Sequence, residues 1–167
     1  ITVNGIDYTV STQNDRAELV YKLDTSGLIT FSRTSGSIIV KGDINKKHNV
    51  TIKEGITFYG GNKGDNIESL DATIYCGSGN NTLILKHGDR VYCGSGNNTI
   101  KADSYCWIYG GSGVNNITLN GTLNNVEAGS GTTNVTIKGH TNNVYGTSGN
   151  NTIVSNTGSN NFISGFG

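Results

Sequence analysis

Val91-Tyr92-Cys93-Gly94-Ser95-Gly96-Asn97-Asn98-Thr99-Ile100-Lys101-Ala102 decides the fold. It holds two apolar pairs, Val91/Cys93 and Ile100/Ala102, each with one residue between its members. That is the period of a strand with one buried face. Between the pairs lies a glycine-rich turn. The same pattern recurs along the chain every 16 to 18 residues. Val40, Phe58, Ile74, Val91, Ile108, Val126, Val144 and Phe162 form one column. Two residues on, Gly42, Gly60, Cys76, Cys93, Gly110, Ala128, Gly146 and Ser164 form a column of small residues. A second pair of columns runs through Val50, Ile67, Leu83, Ile100, Ile117, Val135 and Ile153, and through Ile52, Ser69, Leu85, Ala102, Leu119, Ile137 and Ser155. A repeat of fixed length stacks coil on coil and buries a continuous core.

Burial at 91, 93, 100 and 102 is two-sided, which a three-sided hexapeptide helix fits less well. The expected fold is all-β: a two-sheet parallel β-roll, or β-solenoid, of about eight 16–18-residue coils. Residues 1–37 do not keep the beat. Ile1 to Val10 alternates around Asn4-Gly5 and predicts a hairpin. Asn14 to Leu23 is helix-like through Ala17, Leu19, Val20 and Leu23. Residues 1–37 are therefore expected to form an N-terminal cap of hairpin plus short helix over the open first coil, with the solenoid spanning 38–167. The pattern is still running at Ile163-Ser164-Gly165-Phe166-Gly167. Further repeats, another domain or end-to-end self-association through the last coil is the expectation there.

Twelve basic and twelve acidic residues cancel, so no attraction to nucleic acid is expected. No apolar run is long enough for membrane insertion. From residue 108 onward only Glu127 and Lys138 carry a formal charge. Cys76 and Cys93 fall in the small-residue column and serve as small buried apolar residues. Parallel stacking gives a Cys76–Cys93 disulfide an unfavourable dihedral. Cys106 belongs to another column and is expected in a turn.

The turns carry a family resemblance. Gly110-Gly111-Ser112-Gly113-Val114-Asn115-Asn116-Ile117 resembles the nonapeptide of RTX, or haemolysin-type, repeats, G-G-x-G-x-D-x-U-x. Residues 93–100 and 146–153 follow it with one further change each. The resemblance implies a secreted or surface-displayed bacterial protein, extracellular or on the cell surface, and turns that bind calcium through backbone carbonyls and the Asp carboxylate. This chain departs at that carboxylate. Asn81, Asn98, Asn115, Thr133 and Asn151 occupy the position, and only Asp65 keeps the acid. Calcium affinity follows ligand charge, so the turns are read as metal-free, with no cofactor, and calcium is the one ion the resemblance raises. Stacked Asn side chains can bond from coil to coil instead.

No catalytic constellation is evident. His48, His87 and His140 fall in three columns, and no zinc spacing occurs. Lys86, Asp89, Arg90, Lys101 and Asp103 form the densest charged patch, read as solvated turn charges. The outward column of one sheet reads Lys41, Tyr59, Tyr75, Tyr92, Tyr109, Glu127, Tyr145, Ile163. Tyr59, Tyr75, Tyr92, Tyr109 and Tyr145 are the candidate ligand-binding residues, an aromatic stripe for a polysaccharide or another protein domain. Tyrosine's β propensity and self-stacking are the plainer explanation of the column. The opposite face (Thr51, Glu68, Ile84, Lys101, Thr118, Thr136, Val154) is too mixed for an ice-binding array. The expected role is a non-catalytic structural or display module. The alternatives are an adhesin-like binding surface on the tyrosines, or an accessory repeat domain of a toxin or secreted hydrolase.

Overall fold

The computed structural model describes the backbone of residues 2–3, 6–7, 16–20, 28–32, 37–41, 43–156 and 161–165, with side chains from 39 onward within those ranges. Two parallel sheets form the β-solenoid. In the ten-stranded sheet, Asn49–Ile52, Asn66–Ser69, Thr82–His87, Asn98–Ser104, Val114–Leu119, Thr132–Ile137 and Asn151–Ser155 follow one another in order. In the nine-stranded sheet, Ser37–Lys41, Ile56–Tyr59, Thr73–Tyr75, Arg90–Tyr92, Trp107–Tyr109, Asn125–Glu127, Asn143–Tyr145 and Phe162–Ser164 do the same.

The columns fall in register as the sequence predicts. Phe58, Ile74, Val91, Ile108, Val126 and Val144 are successive partners. So are Val50, Ile67, Leu83, Ile100, Ile117, Val135 and Ile153. These side chains face each other between the sheets and make the core; all are buried except the partly buried Ile153. Cys76, Cys93 and Cys106 are buried free thiols. Cys106 belongs to the core cluster although it sits at a corner.

The two corners solve their reversals differently. At the glycine-rich corner, Gly77 and Gly94 adopt φ of 72° and 67°, the left-handed region that glycine enters without steric cost. At the other corner one residue per coil is also left-handed: Gly55, Asp71, Gly88, Tyr105, Leu123 and Thr141, with φ between 50° and 69°. Only two of those six are glycine.

Three expectations are corrected. Arg16–Val20 is a strand paired in parallel with Ser37–Lys41, not a helix. Alternation within the segment and an available sheet edge outweigh the i, i+3 spacing of Ala17 and Val20. Parallel stacking therefore reaches back into the expected cap, since Leu28–Ser32 likewise pairs with Asn49–Ile52. The hairpin is present as Thr2–Val3 against Ile6–Asp7, antiparallel; its turn residues Asn4 and Gly5 lie outside the described residues. Second, the last coil is one residue longer than the column assignment. Ile163, not Phe162, pairs with Val144, and Ser164 pairs with Tyr145. Asn161 Oδ1 accepts the Asn142 N–H at 2.9 Å, and fixing Asn161 there turns Phe162 outward. Phe166 and Gly167 lie outside the described residues. Third, Asp89 is not a solvated turn charge. It is fully buried.

Candidate functional site

The outward column of the nine-stranded sheet brings four of the five candidate tyrosines together. Tyr59, Tyr75, Tyr92 and Tyr109 are successive partners or neighbours in register. Their rings are stacked face to face: 4.7 Å and 4° for Tyr59–Tyr75, 4.7 Å and 5° for Tyr75–Tyr92, 4.8 Å and 6° for Tyr92–Tyr109. The separation is the spacing of strands in a sheet, so the backbone sets it. Each interior ring spends both faces on its neighbours and shows solvent an edge and a hydroxyl. Desolvation in this stack, then the flanking Tyr92 and Tyr59, raise the Tyr75 phenol above its ordinary pKa, against the pull of Arg90. Tyr145 stands apart. Glu127 interrupts the column between Tyr109 and Tyr145, and Tyr145 instead meets Phe162, centroids 5.7 Å apart and tilted by 52°.

Inside the glycine-rich corner runs an amide ladder. Asn81 Nδ2 donates to Asn98 Oδ1 at 2.8 Å, and Asn98 Nδ2 donates to Asn115 Oδ1 at 2.8 Å. Asn98 Nδ2 also reaches the carbonyls of Cys93 and Gly96 in its own turn, at 3.0 and 2.9 Å. Each Asn thus closes its own turn and fastens the next coil. The ladder begins with an acid and a base. Asp65 N–H donates to Asn81 Oδ1 at 2.8 Å. Asp65 Oδ1 accepts both the His48 backbone N–H at 2.9 Å and His48 Nδ1 at 2.7 Å. Both residues are buried. The contact suits an Nδ1–H donor, since a carboxylate oxygen accepts. The single acid at the calcium-ligand position is therefore turned inward onto His48.

The sequence reading missed a second ladder, at the opposite corner. Ala72 N–H donates to Asp89 Oδ1 at 3.0 Å, Cys106 N–H to Asn124 Oδ1 at 2.9 Å, and Asn124 N–H to Asn142 Oδ1 at 2.9 Å. Asn124 Nδ2 also donates to Asn142 Oδ1 at 3.0 Å. Ala72, Asp89, Cys106, Asn124 and Asn142 each lie two residues before a core position of the nine-stranded sheet, and Asn161 two before Ile163, which keeps that register in the exposed last coil. That constant offset was the available signal, masked by four different residue types. Asp89 carries the strain of this arrangement. Its Oδ2 is buried without a hydrogen-bond partner. Burial pushes its carboxyl up to about 6, against the Ala72 N–H, which pulls it down.

Burial also pushes the thiols up, Cys93 and Cys106 to about 12 and Cys76 well above its ordinary value. They stay protonated at neutral pH and are poor nucleophiles and poor metal ligands. The charged patch is dispersed. Lys86 reaches Glu68 at 3.7 Å and His87 reaches Asp71 at 3.3 Å, all on the surface. Among the described residues no group of His, Cys, Asp and Glu is placed to hold a metal ion.

Comparison of the chain with protein-family models, with curated proteins and with solved structures finds no match.

Proposed function

We propose that this chain is a non-catalytic, metal-independent solenoid module that spaces or displays neighbouring parts of a secreted or surface-exposed bacterial protein. The bacterial, exterior setting rests on the resemblance of the turns to RTX repeats. The observation that carries the reading is the pair of corner ladders. Buried polar side chains at both corners are committed to fastening one coil to the next. The outer tyrosines are likewise committed to one another. Such coil-to-coil fastening suits an extended element that transmits position.

Within Tyr59 to Tyr109 the stacked rings leave no free interior face for a sugar ring, which weighs against polysaccharide binding by face-on stacking there. Glycan-array and pull-down binding of the wild type and a Tyr75→Ser/Tyr92→Ser variant test the reading. The spacer predicts no ligand that depends on these rings. A glycan or protein domain retained by the wild type and lost by the folded double variant would replace it with the adhesin-like alternative.

A further inference from the structure

The break in the tyrosine column is a different kind of place from the stack itself. Glu127 takes the outward position between Tyr109 and Tyr145, one coil to either side. It is the only acidic residue from position 108 to the end of the chain. Its side chain is exposed and enters no salt bridge or side-chain hydrogen bond among the described residues. A cleft of about 60 Å³ opens beside this break, bordered by Tyr109, Glu127, Tyr145 and Trp107, with Ile108, Val126 and Asn125 along it. Trp107 is 45% exposed and Tyr145 41%. Arg90 lies over Trp107, 6.0 Å from the ring. Its register partner is Trp107 itself, so it stands on the side away from Asn125 and Glu127.

We infer that this gap is a binding site for a small organic cation of the alkylammonium type. Three aromatic rings and an unpaired carboxylate converge on one opening. A ring face attracts a cation through its quadrupole, and the carboxylate adds the charge complement. The dimensions fit. Two strand spacings separate the Tyr109 and Tyr145 positions by about 9.6 Å, so a cation between them, drawn to the side where the Glu127 carboxylate lies, stays within the range of roughly 6 Å over which rings hold cations. Along the stack from Tyr59 to Tyr109 a neighbouring ring already fills this space, so only the interruption at Glu127 offers it. This activity goes beyond a spacer role and does not depend on it.

Trp107 is the chain's single tryptophan, so its fluorescence reports on the site alone. Choline is the probe, and 3,3-dimethylbutan-1-ol, its neutral carbon isostere, is the control. Choline should change the emission saturably in the millimolar range, and the alcohol should bind about tenfold more weakly or worse. Tyr145→Ser should abolish the response. Glu127→Gln, which keeps the shape and removes the charge, should weaken it by about fivefold or more. Tyr59→Ser, at the far end of the stack, should leave it unchanged. Circular dichroism confirms that each variant is folded. An unsaturable response, an equal response to the alcohol, or full affinity in Glu127→Gln would overturn the assignment.

Discussion

Asn98 Nδ2 donates to Asn115 Oδ1 at 2.8 Å while Asn98 Oδ1 accepts from Asn81 Nδ2 at the same distance. One buried amide therefore serves three coils as donor and acceptor, and neither end is wasted. Asn98→Leu fills a similar volume but leaves the carbonyls of Cys93 and Gly96 without the amide that closes their turn, and both flanking amides short of one partner. Each buried group so orphaned costs about 1–3 kcal/mol. Thermal or urea denaturation should show a loss of about 3 kcal/mol or more. Thr99→Ala, next along the chain but exposed, should change stability by less than about 0.5 kcal/mol.

Asp89 is the exception in the opposite ladder, where Asn124, Asn142 and Asn161 do the same task with neutral amides. Its carboxyl is raised from 3.8 to about 6 in the folded protein. The native state therefore binds the proton more tightly than the unfolded chain. Stability is greatest below the unfolded value and falls as pH rises through the folded one, from about pH 4 to pH 6. The shift corresponds to a loss of about 2–3 kcal/mol at neutral pH. Asp89→Asn should recover much of it at pH 7 and flatten the slope between pH 4 and 6. Urea titrations of both proteins across that range measure it. An Asn variant less stable than the wild type at pH 7 would contradict the burial argument.

The core columns predict a contrast between inward and outward positions of one coil. Ile108 is 1% exposed between the sheets, whereas Thr118 lies on the outward face of Val114–Leu119. Ile108→Asp buries a charge without a partner and should cost several kcal/mol, about 3–5 or more. Thr118→Asp should cost less than about 1 kcal/mol. Denaturation midpoints of the two variants compare them directly, and equal losses would mean the inward and outward columns are exchanged.

The corners predict opposite signs for glycine. Thr141 holds φ of 55°, a strained conformation for a β-branched side chain. Thr141→Gly should be neutral to stabilising by up to about 1 kcal/mol, because relief of that strain offsets the added freedom of the unfolded chain. At Gly96 a Cβ would overlap the Gly79 carbonyl oxygen of the preceding turn. Gly96→Ala must push stacked turns apart and should lower the melting temperature clearly.

Most of the fold was legible because a strand with one buried face writes its burial into the sequence with a period of two, and stacking writes it again with a period of one coil. Val91, Cys93, Ile100 and Ala102 carry both signals. The Asn81–Asn98–Asn115 ladder was legible for the same reason: one residue type repeats in one turn. The second ladder was hidden because it is fastened partly by backbone N–H groups, as at Ala72 and Cys106, and a backbone donor leaves no mark on residue type. The outer tyrosines were visible as a column and self-stacking was one reading of it, but the choice between stacked and free ring faces depends on rotamers, which the sequence does not carry. The same limit misplaced Phe162. The 16-to-18-residue beat counts from Val144 to Phe162 for the core column, and the hydrogen bond from Asn142 to Asn161 selects Ile163 instead.

The Asn81–Asn98–Asn115 ladder stands where the resembling calcium turns carry acids, and the one retained acid, Asp65, is engaged by His48. If that ladder holds the coils together, metal is dispensable. Thermal melts followed by β-sheet circular dichroism, in excess EDTA and in millimolar calcium, test this most directly. Superimposable spectra and equal melting temperatures are the expected result. Loss of the β signal in EDTA, restored by calcium, would contradict it.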